Sequence, residues 1–166
     1  MSQNIIFLDI DGVLNSNNTF KENYGFRKAI SKLPKNSPLE HQLYLSQIND
    51  LDNNKIFLIK TLSQNTNSQI VVISTWRNLR IWPLIEEYLV SKGLPITDVT
   101  PYIKNNRSME ISFYLKEHPN IKNFIIIDDD FFPGYEEYYD KIIHTSFYQD
   151  GFTEEHLEVA KTLLKK

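Results

Sequence analysis

The chain has no cysteine, so disulfides, thiolate nucleophiles and zinc–sulfur sites are excluded outright. It also lacks any long apolar run. Met1-Ser2-Gln3-Asn4 carries no basic segment, and the stretch Ile5 to Leu8 is too short for a secretory signal or a membrane span. The sequons at Asn17 and Asn106 carry no weight without such a signal. A cytoplasmic protein with no membrane partner is the expectation. Strong charge of either sign is missing too. A net charge of -3 gives no global reason to bind nucleic acid, although a local basic patch stays open. The 4 histidines, His41, His118, His144 and His156, show no metal-ligand spacing and read as structural or surface residues. No internal repeat stands out, and no obligate protein partner is inferred.

What the sequence does contain is ordinary for a globular protein: 166 residues, 41% hydrophobic and 23% charged. That is enough chain for one domain, residues 1–166, with a real core. Short apolar runs alternate with amphipathic helical stretches, which predicts a parallel α/β sheet. Ile5–Leu8, Ile70–Ile73 and Phe124–Ile127 are apolar throughout, as strands covered on both faces must be. Lys141–His144 is a weaker edge candidate, and Ile96–Val99 weaker again. Helices are expected over 55–66, after a cap at Asp52 or Asn53, over 80–92, with Pro83 near the start and Gly93 closing it, and over 108–117. A last one opens at Thr153. Residues 15–54 fit this rhythm poorly and predict an irregular insertion, a small cap or flap, with one helix at about 39–50. The resulting fold class is a three-layer α/β/α sandwich around a central parallel, Rossmann-like sheet of about five strands.

Three of the apolar strands end in residues suited to phosphoryl transfer: Asp9-Ile10-Asp11-Gly12, Ser74-Thr75-Trp76-Arg77 and Asp128-Asp129-Asp130. In an open parallel sheet, ligands bind at the carboxyl ends of strands. Acids gathered there are costly to bury unless a cation neutralises them, and an all-oxygen set suits a hard ion such as Mg²⁺. One carboxylate can then attack phosphorus, while a second, two residues on, handles the proton. Gly12 lets the chain turn sharply beside them.

Phe7-Leu8-Asp9-Ile10-Asp11-Gly12-Val13-Leu14 resembles the first motif of the haloacid dehalogenase superfamily, Ile70 to Ser74 its second, and Ile125 to Asp129 its fourth. The order and spacing agree over the whole chain. The resemblance implies an Mg²⁺-dependent phosphomonoester hydrolase. Asp9 would be nucleophile and metal ligand, and Asp11 general acid/base with its carbonyl facing the metal. Ser74 would bond the phosphoryl group, and Asp128 and Asp129 would hold the metal directly or through water. The third-motif cation is Arg107 or Lys104. Thr75 is an alternative to Ser74, and Arg77 either contacts phosphate or pairs with an acid. Together with Gly12, these complete the candidate substrate contacts. Ser74-Thr75-Trp76-Arg77, Arg107-x-x-Glu110 and a late Gly151-Phe152-Thr153 resemble a narrower group, the haloacid-dehalogenase-like domains found in RNA-repair (Swiss Army Knife) proteins.

The substrate side is less defined. Residues 20–35 are basic, with Lys21, Arg27, Lys28, Lys32 and Lys35, and interleaved with Phe20, Tyr24 and Phe26. They form either a rim for a nucleotide or nucleic-acid end, or a solvated loop. The aromatic, acidic stretch 131–140 is expected to pack over the sheet edge, with Trp76 as core or wall. Two further readings keep the same site: a phosphotransferase such as a phosphomutase, and a non-catalytic module that binds phosphorylated ligands or partners.

Overall fold

The computed structural model describes residues 3–34 and 38–165. Five strands, β1 (Gln3–Leu8), β2 (Ser68–Val72), β3 (Ile96–Val99), β4 (Ile121–Asp128) and β5 (Ile142–His144), form one sheet in the order β3-β2-β1-β4-β5. Every adjacent pair is parallel. The two weak sequence candidates are therefore real strands, and both lie at the edges, where a short half-covered strand needs less apolar content.

Alternation along the central strands divides the core into two layers. Ile6 and Leu8 of β1, Ile70 and Val72 of β2, and Ile125 and Ile127 of β4 face one side. There they meet α4 (Asn53–Thr66), α5 (Trp82–Ser91) and α7 (Glu154–Leu164) through Ile59, Ile85, Leu89, Leu157 and Ala160. Ile5, Phe7, Val71 and Ile126 face the other side, against Ile111 and Tyr114 of α6 (Arg107–Glu117) and against Tyr135. Tyr135 opens a run of 3₁₀ turns over Tyr135–Lys141. The helix boundaries follow local signals. Asp52 caps α4, Pro83 sits in the first turn of α5, and Thr153 caps α7 in a box shared with His156.

The segment 15–54 departs from expectation. Its described residues hold α1 (Asn17–Glu22), α2 (Tyr24–Ile30) and α3 (Leu39–Asn49), where the sequence suggested one helix. The expected helix at about 39–50 is α3; the two unexpected ones are α1, which buries only Thr19, and α2, which buries nothing, so no apolar stripe marks them. Ser16 starts α1 by accepting a hydrogen bond from the Thr19 amide. Arg27 of α2 forms a two-pronged ion pair with Asp50 beyond α3 and lies over the ring of Phe20. These ties hold the segment, together with Leu51 and the partly buried Tyr44, which pack on the main core. Lys35 lies outside the described residues. Among those described, no helix is long and apolar enough to cross a membrane.

Candidate active site

The register of the sheet brings the acids together. Leu8 pairs with Ile127 of β4 and with Val72 of β2, and the ladder continues past the strand ends. The Asp9 amide donates to Ile127 O, and the Ile73 amide to Leu8 O. Phe7 is paired with Ile126 on the α6 side. Two residues further along each strand, Asp9 and Asp128 therefore project on that same side. One carboxylate oxygen from each of Asp9, Asp128 and Asp129 lies within 4.8 Å of the others. An octahedral magnesium site with ligands at about 2.1 Å spaces its oxygens about 3–4 Å apart, so this set fits the ion after small side-chain adjustments.

Arg107 closes the cluster. It is the first residue of α6, whose start is fixed by Asn106 accepting from the Met109 amide. Its Nη1 lies 2.8 Å from Asp128 Oδ2 and 3.3 Å from Asp9 Oδ2, and its guanidinium stacks 4.4 Å from the centre of the Phe132 ring. Lys104, the rival cation, is exposed. Of the two, Arg107 is the one in contact with the acids. Burial opposes its charge, but the Asp9 and Asp128 carboxylates outweigh that and hold its pKa above the ordinary value.

Asp128 is fully buried and heavily bonded. Its Oδ2 accepts from Arg107 and from the Tyr135 hydroxyl at 2.8 Å, and its Oδ1 from the Asp130 amide at 3.1 Å. Asp129 is only half-buried, leaving it more available to an ion, and Asp130 is exposed. Burial first, and then the neighbouring Asp128, pushes the Asp9 carboxyl up to about 7, against the opposing pull of Arg107. Burial and then the Asp9 charge push Asp129 up to about 6. The carboxyl of Asp128 is raised as well, by burial. All three shifts have the sign expected of carboxylates buried close together.

Gly12 has φ +67, and a Cβ there would fall 2.1 Å from Asp129 Oδ2. The glycine is thus the space into which Asp129 folds. Its amide donates to Asn15 Oδ1 at 2.8 Å. Asp11 is held on both oxygens: Asn15 Nδ2 donates to Oδ1 at 2.9 Å and Trp76 Nε1 to Oδ2 at 2.7 Å. Ser74 is buried, caps the 3₁₀ turn Thr75–Asn78, and hydrogen-bonds Asp9. Thr75 is exposed. It helps line a cavity of about 80 Å³ with Tyr102, Asn105, Arg107 and Phe132.

Arg77 is not free for phosphate. Its Nη2 pairs with Glu110 at 2.6 Å, its Nε donates to Thr100 O at 3.1 Å, and its Nη1 bonds the carbonyls of Ile73 and Ser74. Of the two readings left open for it, pairing with an acid is the one observed. The bond set clamps the end of β2 to α6, because four of the five guanidinium N–H groups already meet an oxygen. Sequence reasoning missed Tyr135, Asn15 and the polar role of Trp76. A buried tyrosine hydroxyl or indole N–H needs a partner, which is a signal in principle, but it does not say which residue.

The family model for the HAD domain in Swiss Army Knife RNA repair proteins matches residues 5–157. The chain belongs to that family of haloacid-dehalogenase-like domains. No curated protein and no solved structure shows a significant match to it.

Two substitutions probe this geometry. Gly12→Ala should cost about 1–3 kcal/mol for the forced left-handed backbone and, by displacing Asp129, weaken divalent-cation binding. Thermal melting and a Mg²⁺ titration measure the two effects. Arg77→Leu strands Glu110 as a buried unpaired carboxylate and should lower stability by about 3–5 kcal/mol. A variant that melts normally but shows a raised KM would return Arg77 to the phosphate-contact role.

Proposed function

We propose that the chain is a magnesium-dependent phosphomonoester hydrolase that works through a phosphorylated Asp9. The observation that carries this reading is the convergence of Asp9, Asp128 and Asp129 on one point, with Arg107 against two of them. Asp9 and Asp129 are the direct metal ligands in this reading. Asp128, with both oxygens engaged, holds the ion through water and anchors Arg107. When bound, magnesium supplies neutralisation of the carboxylates and orientation of the phosphoryl oxygens.

An Asp9 oxygen attacks phosphorus and the ester P–O bond breaks, with Asp11 giving its proton to the departing oxygen. Water then attacks the aspartyl-phosphate, Asp11 takes a proton from it, and inorganic phosphate leaves with Asp9 restored. Arg107 offsets charge on the transferring group. Ser74, already at Asp9, is better placed to bond that group than the exposed Thr75.

A nucleotide or nucleic-acid end is the proposed substrate class. The exposed Lys21, Lys28 and Lys32, with the exposed rings of Tyr24 and Phe26, support it by offering charge and stacking surface on α1, α2 and the turn that follows. The family description, which places such domains in RNA-repair proteins, supports it too. Release of phosphate from 5′- or 3′-phosphorylated oligonucleotides, compared with small sugar phosphates, tests the class.

Asp9→Asn should abolish turnover, by at least about a thousandfold, while the chain still folds. Undiminished phosphate release from that variant would reject the mechanism. Stability should also depend on pH and metal together. Asp9 and Asp129 have folded pKa values raised from 3.8 to about 7 and about 6. Their contribution is therefore complete below about pH 4 and is lost as pH rises towards 7. The metal-free protein should melt at progressively lower temperature between pH 5 and pH 8, and Mg²⁺ should raise Tm more at pH 8 than at pH 5. A Tm shift with Mg²⁺ that is the same at both pH values would contradict the shared-ion site.

A further inference from the structure

The geometry points to Trp76 as the residue that positions Asp11 for proton transfer, an inference that rests on the phosphatase reading above. The indole Nε1 donates to Asp11 Oδ2 at 2.7 Å across 65 residues of sequence. The ring is buried in the core beside α5, and its backbone amide is tied to Ser74 Oγ. It thus links the turn after β2 to the acid at the end of β1. On the other oxygen, Asn15 Nδ2 donates at 2.9 Å, and Asn15 is itself fixed by the Gly12 amide and is fully buried.

Both neighbours present only N–H groups to the carboxylate, and an indole N–H has no acceptor function at all. Neither can share a lone pair with a proton on Asp11. The proton that Asp11 carries is therefore excluded from the two positions facing Trp76 and Asn15 and restricted to the remaining lone pairs. The bonds also hold the carboxylate to one rotamer, so the lone pairs left for the proton are fixed in space before a substrate arrives. Trp76 does this without touching the reacting atoms, and is a positioning residue.

Trp76→Phe removes the donor and keeps an aromatic ring in the core. If Trp76 positions the general acid, its loss must matter most for leaving groups that need a proton. Turnover of an alkyl phosphate monoester should fall about a hundredfold with KM nearly unchanged. The first-turnover release of p-nitrophenolate from p-nitrophenyl phosphate, whose leaving oxygen needs no proton, should keep close to its wild-type rate. Adding Trp76→Phe to Asp11→Asn should cause no further loss on the alkyl ester. A second replacement guards against a packing defect: benzothienylalanine at position 76 puts sulfur where the N–H was, at the same shape, and should reproduce the Phe profile. Equal slowing of both esters, no slowing of either, or a wild-type profile from the sulfur isostere overturns the inference. A wild-type chain that releases phosphate neither from these esters nor from 5′- or 3′-phosphorylated oligonucleotides overturns the phosphatase reading and this inference with it, so the two failures are told apart before any variant is compared.

Discussion

The site depends on the burial of Asp9 beside Asp128 at the ends of two paired strands. In water their repulsion would be small, but here both are removed from solvent, and Asp129 adds a third carboxylate within reach. Arg107 is the one cation in ion-pair contact with this cluster among the described residues. Three carboxylates against one guanidinium leave two uncompensated negative charges, which is the charge of a single divalent ion. Burial, and after it this imbalance, raises the carboxyl pKa values of Asp9 and Asp129. Protons relieve it, and a bound divalent ion would do the same.

Parallel topology is what makes the arrangement economical. Because β1 lies between β2 and β4 and runs the same way as both, the residues after Leu8, Val72 and Ile127 arrive at one edge without any long loop. Strand parity then selects the face. Asp9 and Asp128 emerge on the side covered by α6, so a residue in the first turn of that helix reaches between them. Arg107 is that residue. On the same helix, Glu110 takes Arg77 and pins the end of β2, which fixes Ser74 next to Asp9. The helix thus sets both the cation and the turn that carries Ser74.

Much of this was legible in the chain because it depends on local pattern. Apolar runs marked the strands, and Asp9, Asp128 and Asp129 could be assigned because they follow those runs directly. The cation was legible only as a choice between Lys104 and Arg107, because their spacing from the fourth strand is nearly the same and only the start of α6 separates a buried residue from an exposed one. Tyr135 and Trp76 were hidden for a different reason. Their polar atoms meet partners set by tertiary packing, Trp76 across 65 positions, and in sequence both look like core aromatics. Helices α1 and α2 escaped notice because α2 buries nothing and α1 buries only Thr19. A helix without an apolar stripe leaves no periodic trace.

Asp9 and Asp11 stand two positions apart and yet have opposite surroundings. Asp9 continues the line of β1 into the buried layer, where acids crowd it and its one cationic partner is shared with Asp128. Asp11 opens the turn that runs on through Gly12, is half-exposed, and receives its hydrogen bonds from the neutral side chains of Asn15 and Trp76. A carboxylate crowded by negative charge is primed to take up a cation or an electrophile. One held by neutral donors at the edge of solvent stays open to substrate and to water. Two acids with different environments can thus take different parts in one reaction, and in this chain the turn at Gly12, which also makes room for Asp129, separates those environments.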